Sequence, residues 1–209
     1  FNAGAALAPS LGRGTFTVAS TTNTGNNNSS LYSVATRTLT RQGNMAYPRW
    51  YATSTMLLNG EIYVQGGLGG VERPEIRAGG SNGTYRTLSG ADTSAYDYFY
   101  PRNFIAPDGR IFGFDSAGSM FWVDTAGTGT FTGLGQFTNA VSGNDASAAM
   151  FAPGRILQFG GNSNGAIVID INSGAPVVSN TAAMAMQRRL GTATLMADGK
   201  VLATGGSRI

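Results

Sequence analysis

The chain of 209 residues contains no cysteine and no histidine. Disulfides are excluded, and so is every zinc, haem or iron–sulfur arrangement that would draw those ligands from this chain. Ser-His and Cys-His nucleophile pairs are excluded with them. Charge is scarce as well: Asp, Glu, Lys and Arg make up 12% of the residues, about half the usual share. The net charge is +3, but the basic residues are scattered, and Arg188-Arg189 is the only adjacent basic pair. A nucleic-acid binder clusters its cations in a stripe interleaved with aromatics, so no nucleic-acid partner is expected. No apolar run approaches the roughly 18 residues that a membrane-spanning helix needs, and none of the sequence reads as a signal peptide.

What is present is glycine, 31 residues of it, with abundant Ser, Thr and Asn and 42% hydrophobic content. That mixture describes many short strands joined by tight turns around one substantial core. The segment PRWYATSTMLLNGEIYVQGG, residues 48–67, reads as a hairpin. Two β-rich runs flank Asn59-Gly60, a dipeptide suited to a two-residue turn with positive φ angles. Low charge and the Asn, Ser and Thr content favour an extracellular or cell-surface location. The sequons at Asn27, Asn28 and Asn82 would carry glycans only in a eukaryotic secretory route.

The hairpin repeats. GEIYVQGG from Gly60, GRIFGFDS from Gly109, GRILQFGG from Gly154 and GKVLATGG from Gly199 align, and GTFTVAST from Gly14 is a weaker copy. An apolar run precedes each turn glycine and a further strand pair follows each hairpin. About four strands per period of about 46 residues is the pattern of a β-propeller blade. The glycine doublet that ends the second strand, with no WD dipeptide, favours the kelch type. The expectation is therefore an all-β, kelch-type propeller domain over residues 1–209. Its blades are anchored at Gly14, Gly60, Gly109, Gly154 and Gly199, about four and a half of a ring of seven. The remaining blades would come from the same polypeptide or from another chain. The doublets themselves read as packing glycines, because GGLGG at 66–70 lacks the Lys-Ser/Thr and the helix of a phosphate loop.

The segment around RWYAT resembles glyoxal oxidase and galactose oxidase, the copper radical oxidases, and is closest in motif to glyoxal oxidase. The resemblance continues through YPRNFIAPDGRIFGFDS, SGNDASAAMFAPGRILQFGG and MQRRLGTATLMADGKVLATGG. It implies that Tyr51 stands at the position of the radical tyrosine, which in that family is joined by a thioether to an upstream cysteine. A second tyrosine and two histidines complete the family's copper site, and they belong to segments beyond this chain. The family's phrase F-C-A-G is matched by FNAG, which puts Asn2 at the cysteine position, and a carboxamide forms no thioether. No cofactor is therefore expected within this chain. The expected role is binding or assembly in an oxidase-like extracellular protein. The alternative is a copper-dependent oxidase of primary alcohols or aldehydes that yields hydrogen peroxide and takes its remaining ligands from elsewhere.

Further candidates stand near Tyr51. Trp50 can offer a flat platform to a carbohydrate or to a small alcohol or aldehyde. Arg49, Arg102 and Arg188 lie upstream of their turn glycines at comparable positions. They could hold a carboxylate or sugar acid through paired N–H groups, or brace backbone carbonyls between blades. The aromatic run Tyr96, Tyr98, Phe99 and Tyr100 reads as a strand or packed loop. Asp108 and Asp198 precede turn glycines and stabilise those turns. No calcium loop of the D-x-D-x-D form is present, so no metal is assigned to this chain.

Overall fold

The computed structural model describes residues 25–80, 83–137, 143, 145–161 and 163–207, together with the backbone of 5–9. Asn2, Gly14 and Asn82, and the expectations attached to them, lie outside the described residues. Every regular element among the described residues is a β-strand, and no helix is long and apolar enough to cross a membrane. The first sheet holds β1 (Ala5–Pro9), β2 (Ser29–Ser33) and β3 (Thr38–Arg41). The second holds β4 (Trp50–Met56), β5 (Ile62–Leu68), β6 (Glu75–Arg77) and β7 (Tyr85–Thr87). The third holds β8 (Arg102–Ile105), β9 (Ile111–Phe114), β10 (Ser119–Asp124) and β11 (Thr130–Gln136). The fourth holds β12 (Ala146–Ala152), β13 (Arg155–Gly160), β14 (Ala166–Asp170) and β15 (Val177–Asn180), and β16 (Arg189–Leu195) pairs with β17 (Val201–Ser207) in the last. Each four-stranded sheet follows chain order, which is the build of a propeller blade, and the fold is the all-β propeller type that the repeat anticipates.

The turns show why the repeat keeps its glycines. Gly60, Gly109 and Gly199 each donate an N–H to a carbonyl three residues back, at 2.9 to 3.0 Å, with φ of 82°, 87° and 79°. The side chain before each glycine accepts the N–H two residues on: Asn59 from Glu61, Asp108 from Arg110 and Asp198 from Lys200. The Asn59-Gly60 turn is therefore longer than the two-residue form expected from sequence, and only its glycine takes positive φ. Pro153-Gly154 supplies the two-residue turn, where Ala152 pairs directly with Arg155.

The doublets have two separate reasons. In the doublets at 66–67 and 160–161 a Cβ on the first glycine would strike the segment leading into the next sheet, whereas on Gly205 it would meet nothing within 4 Å. On Gly66 it would lie 2.7 Å from the Tyr98 carbonyl oxygen, and on Gly160 2.8 Å from the Arg188 carbonyl oxygen. A Cβ on the second would strike its own sheet, 2.8 Å from Arg49 Cβ for Gly67 and 2.5 Å from the Arg189 carbonyl oxygen for Gly206. Where Asp115-Ser116 replaces the doublet, the chain reverses at once instead. Asp115 accepts the N–H groups of Ala117 and Ser119 at 3.0 and 2.8 Å.

The chain divides into two compact units, Phe1–Asn103 with Val123–Phe131, and Phe104–Trp122 with Thr132–Ile209. The second unit holds the larger core, built from Phe112, Phe114, Trp122, Phe137, Ile156, Ile167 and Ile169. Each such side chain removed from water stabilises by about 1.5–3 kcal/mol. In the first unit Met45, Ala52 and Val64 form a smaller cluster, packed by Ile62 and Tyr85.

Candidate functional site

Tyr51 sits in β4 between two regular pairs, Trp50 with Leu68 and Ala52 with Gly66. Its own φ is 65°, a left-handed conformation that costs a residue with a Cβ about 1–2 kcal/mol. The Tyr51 carbonyl accepts the N–H of Tyr100 at 3.2 Å, and Tyr100 is itself left-handed at 45°. Leu190 repeats the arrangement in the other unit. It has φ of 56°, lies between the pairs Arg189 with Ser207 and Gly191 with Gly205, and donates its N–H to the Asp145 carbonyl at 3.0 Å. The strain at Tyr51 is thus a property of the hairpin, because a leucine bears it too.

What distinguishes Tyr51 is its surroundings. The Trp50 ring lies 4.1 Å from it, Tyr100 4.8 Å and Phe99 5.5 Å, and Tyr98 extends the group at 4.2 Å from Phe99. Trp50, Tyr51, Tyr98 and Phe99 are half-buried and Tyr100 is 39% exposed, so the cluster presents an aromatic face to solvent. Partial burial pushes the Tyr100 hydroxyl up to about 12, and the neighbouring Tyr51 phenol adds to the rise. The loop is held by Phe99 N–H on the Asp97 carboxylate at 3.0 Å and by Gly67 N–H on the Tyr98 carbonyl at 2.8 Å.

The three arginines differ. Arg49 is 1% exposed and uses all five N–H donors. Nε and Nη2 bond Glu75 Oε2 at 3.2 and 2.8 Å, Nη1 bonds the Gly66 and Gly70 carbonyls at 2.7 and 2.6 Å, and Nη2 also bonds the Arg73 carbonyl. No donor remains for a ligand. Glu75, also fully buried, turns its other oxygen to the Ala46 N–H at 2.6 Å. Arg188, half-buried, repeats the theme more simply. Its Nη1 bonds the Gly205 carbonyl at 2.6 Å, and its backbone bridges Ser163 as that of Arg49 bridges Asn26. Arg49 and Arg188 each stand eleven residues before a turn glycine, whereas Arg102 stands seven before Gly109. The three therefore do not share one blade position. Arg102 lies in β8, with Nη1 3.4 Å from the Tyr100 carbonyl.

Sequence reasoning missed Glu75 and did not join Tyr100 to Tyr51. A signal for the second was available, since Tyr51 and Tyr100 each stand nine residues before a turn glycine, as do Asp145 and Leu190. For Glu75 there was none: an isolated carboxylate 26 residues from its arginine carries no spacing signature.

No family model and no curated protein matches the chain. Among solved structures, one similar to this chain is a novel fungal alcohol oxidase with catalytic diversity among the AA5 family, in complex with copper. The TM-score is 0.74 at 22% identity, over 87% of this chain and 43% of that one. The likeness shows the fold, and the chain spans less than half the length of that protein. The donor set of this chain does not fit a copper ion. There is no imidazole or thiolate in the sequence, and the described residues hold no cluster of three or more His, Cys, Asp or Glu. The Tyr51 and Tyr100 phenols are oxygen donors only, whereas copper favours nitrogen ligands in a tetragonal field.

Proposed function

We propose that the chain is the propeller portion of an extracellular protein of the galactose/glyoxal oxidase kind, and that it acts by binding carbohydrate on the Trp50–Tyr51–Tyr100 face. The observation that carries this reading is the aromatic cluster itself. Flat rings with hydroxyl edges, held rigid by a strained strand and partly open to solvent, suit a sugar's apolar face and its hydroxyl groups together. The fold likeness and the kelch-like spacing support the kinship, the RWYAT segment supports the glyoxal-oxidase branch, and low charge supports the location.

Titration of the protein with neutral mono- and oligosaccharides should quench Trp50 fluorescence saturably, since the chain's other tryptophan, Trp122, is buried. Trp50→Ala should weaken binding by about tenfold or more, equivalent to about 1.4 kcal/mol. The absence of saturable binding across that set, or unchanged affinity in Trp50→Ala, would refute the proposal.

The likeness to a copper-containing alcohol oxidase favours a second reading, in which the full gene product oxidises primary alcohols or aldehydes to yield peroxide, with metal ligands from outside this chain. Copper content of that product, measured with peroxide release, decides between the two.

A further inference from the structure

We propose that Tyr51 and Tyr100 form an oxidative cross-linking site, an intrachain dityrosine that joins β4 to the residue leading into the next sheet. The two rings lie 4.8 Å apart between centroids at an angle of 51°. The backbone keeps them there: Tyr100 N–H donates to the Tyr51 carbonyl at 3.2 Å, and both residues are held in the left-handed region. Coupling therefore needs no rearrangement of the strands. Tyr100 is 39% exposed and open to an oxidant. The chain has no cysteine, so no internal thiol is available to reduce a phenoxyl radical before it couples. Tyr63 contrasts with this pair, being fully buried with its hydroxyl on Gln65 at 3.0 Å.

A one-electron oxidant takes one electron from each phenol, and each phenol releases its hydroxyl proton to solvent. The two phenoxyl radicals join through ring carbons ortho to the oxygens. The hydrogens on those carbons then move to the oxygens as the rings regain aromaticity. One carbon–carbon bond forms, two electrons pass to two equivalents of oxidant, and two protons are released. The step depends neither on saccharide binding nor on copper, because the oxidant is supplied from outside.

The experiment treats the whole chain with photogenerated ruthenium(III) tris-bipyridine, with persulfate as the electron acceptor, then unfolds it in urea and digests it with trypsin. The expected product joins the peptide of residues 50–77 to that of residues 87–102, lighter by two hydrogens and carrying dityrosine fluorescence. Fragmentation should place the bond at Tyr51 and Tyr100. Tyr51→Phe and Tyr100→Phe, which keep the rings, should each abolish it, whereas Tyr32→Phe should leave its yield unchanged. A wild-type digest without the joined peptide, a yield that persists in either of the first two variants, or bonds formed only between separate chains would overturn the proposal.

Discussion

Two junctions between successive sheets use one backbone scheme and opposite side-chain chemistry. Tyr51 and Tyr100 in one unit, and Asp145 and Leu190 in the other, occupy the same place in their hairpins and are linked by the same N–H to carbonyl bond. At the first junction the side chains stack as aromatic rings. At the second, Asp145 pairs instead with Arg189 at 2.6 Å and Leu190 lies 65% exposed. The shared part is the scaffold, with left-handed backbone at Tyr51 and Tyr100 in the first junction and at Leu190 in the second. The part that differs is where function resides, so an unusual φ at Tyr51 is not by itself a mark of chemistry.

The arginines that precede the two junctions sharpen the contrast most. Arg49→Ala leaves buried Glu75 without its partner and should cost about 3–5 kcal/mol. Arg188→Ala removes a hydrogen bond to one carbonyl and should cost about 1 kcal/mol. Urea unfolding of the two variants measures the difference, and equal losses would mean that Glu75 contributes nothing to it. The left-handed residues come next. Leu190→Asn should gain about 1 kcal/mol, because asparagine tolerates the left-handed region and little packing is lost. Tyr51→Asn relieves the same strain but gives up the ring contacts, which are worth about 3–5 kcal/mol when an aromatic is truncated in a packed site. It should therefore destabilise the fold, and a gain at both positions would break the comparison.

The smallest effect is one of protonation. With the Tyr100 hydroxyl at about 12 against an ordinary 10.0, the unfolded chain loses that proton first as the pH rises. Between those values the folded state binds more protons than the unfolded state, so stability falls as pH climbs through the interval. Tyrosinate absorbance should show Tyr100 titrating late, near pH 12, alongside Tyr63 and Tyr85, which burial also raises, and Tyr51→Phe should bring Tyr100 part of the way back towards its ordinary value.

The repeat made the hairpins legible because each turn glycine answers a local demand: positive φ, and a carboxylate or amide ahead of it to cap the turn. Gly60, Gly109 and Gly199 could be read from sequence for that reason. The doublets could be located but not explained, since Gly66 and Gly160 yield to the carbonyls of Tyr98 and Arg188 on the approach to the following sheet. The candidate site was half legible. Trp50 and Tyr51 are neighbours in the chain, but Tyr100 reaches them only through the stacking of one sheet's first strand on the approach to the next. The Arg49–Glu75 pair was invisible, because nothing in a sequence short of charge distinguishes a buried carboxylate from a solvated one.

The saturated guanidinium of Arg49 also bears on how this molecule meets a protease. Trypsin must draw an arginine side chain into its own pocket before it can cut after that residue. Arg49 can be offered only once Gly66, Gly70, Arg73 and Glu75 have all let go. Cleavage between Arg49 and Trp50 would therefore be a clock for opening of the whole second sheet, running far behind nicks at Arg37, which is exposed in the turn between β2 and β3.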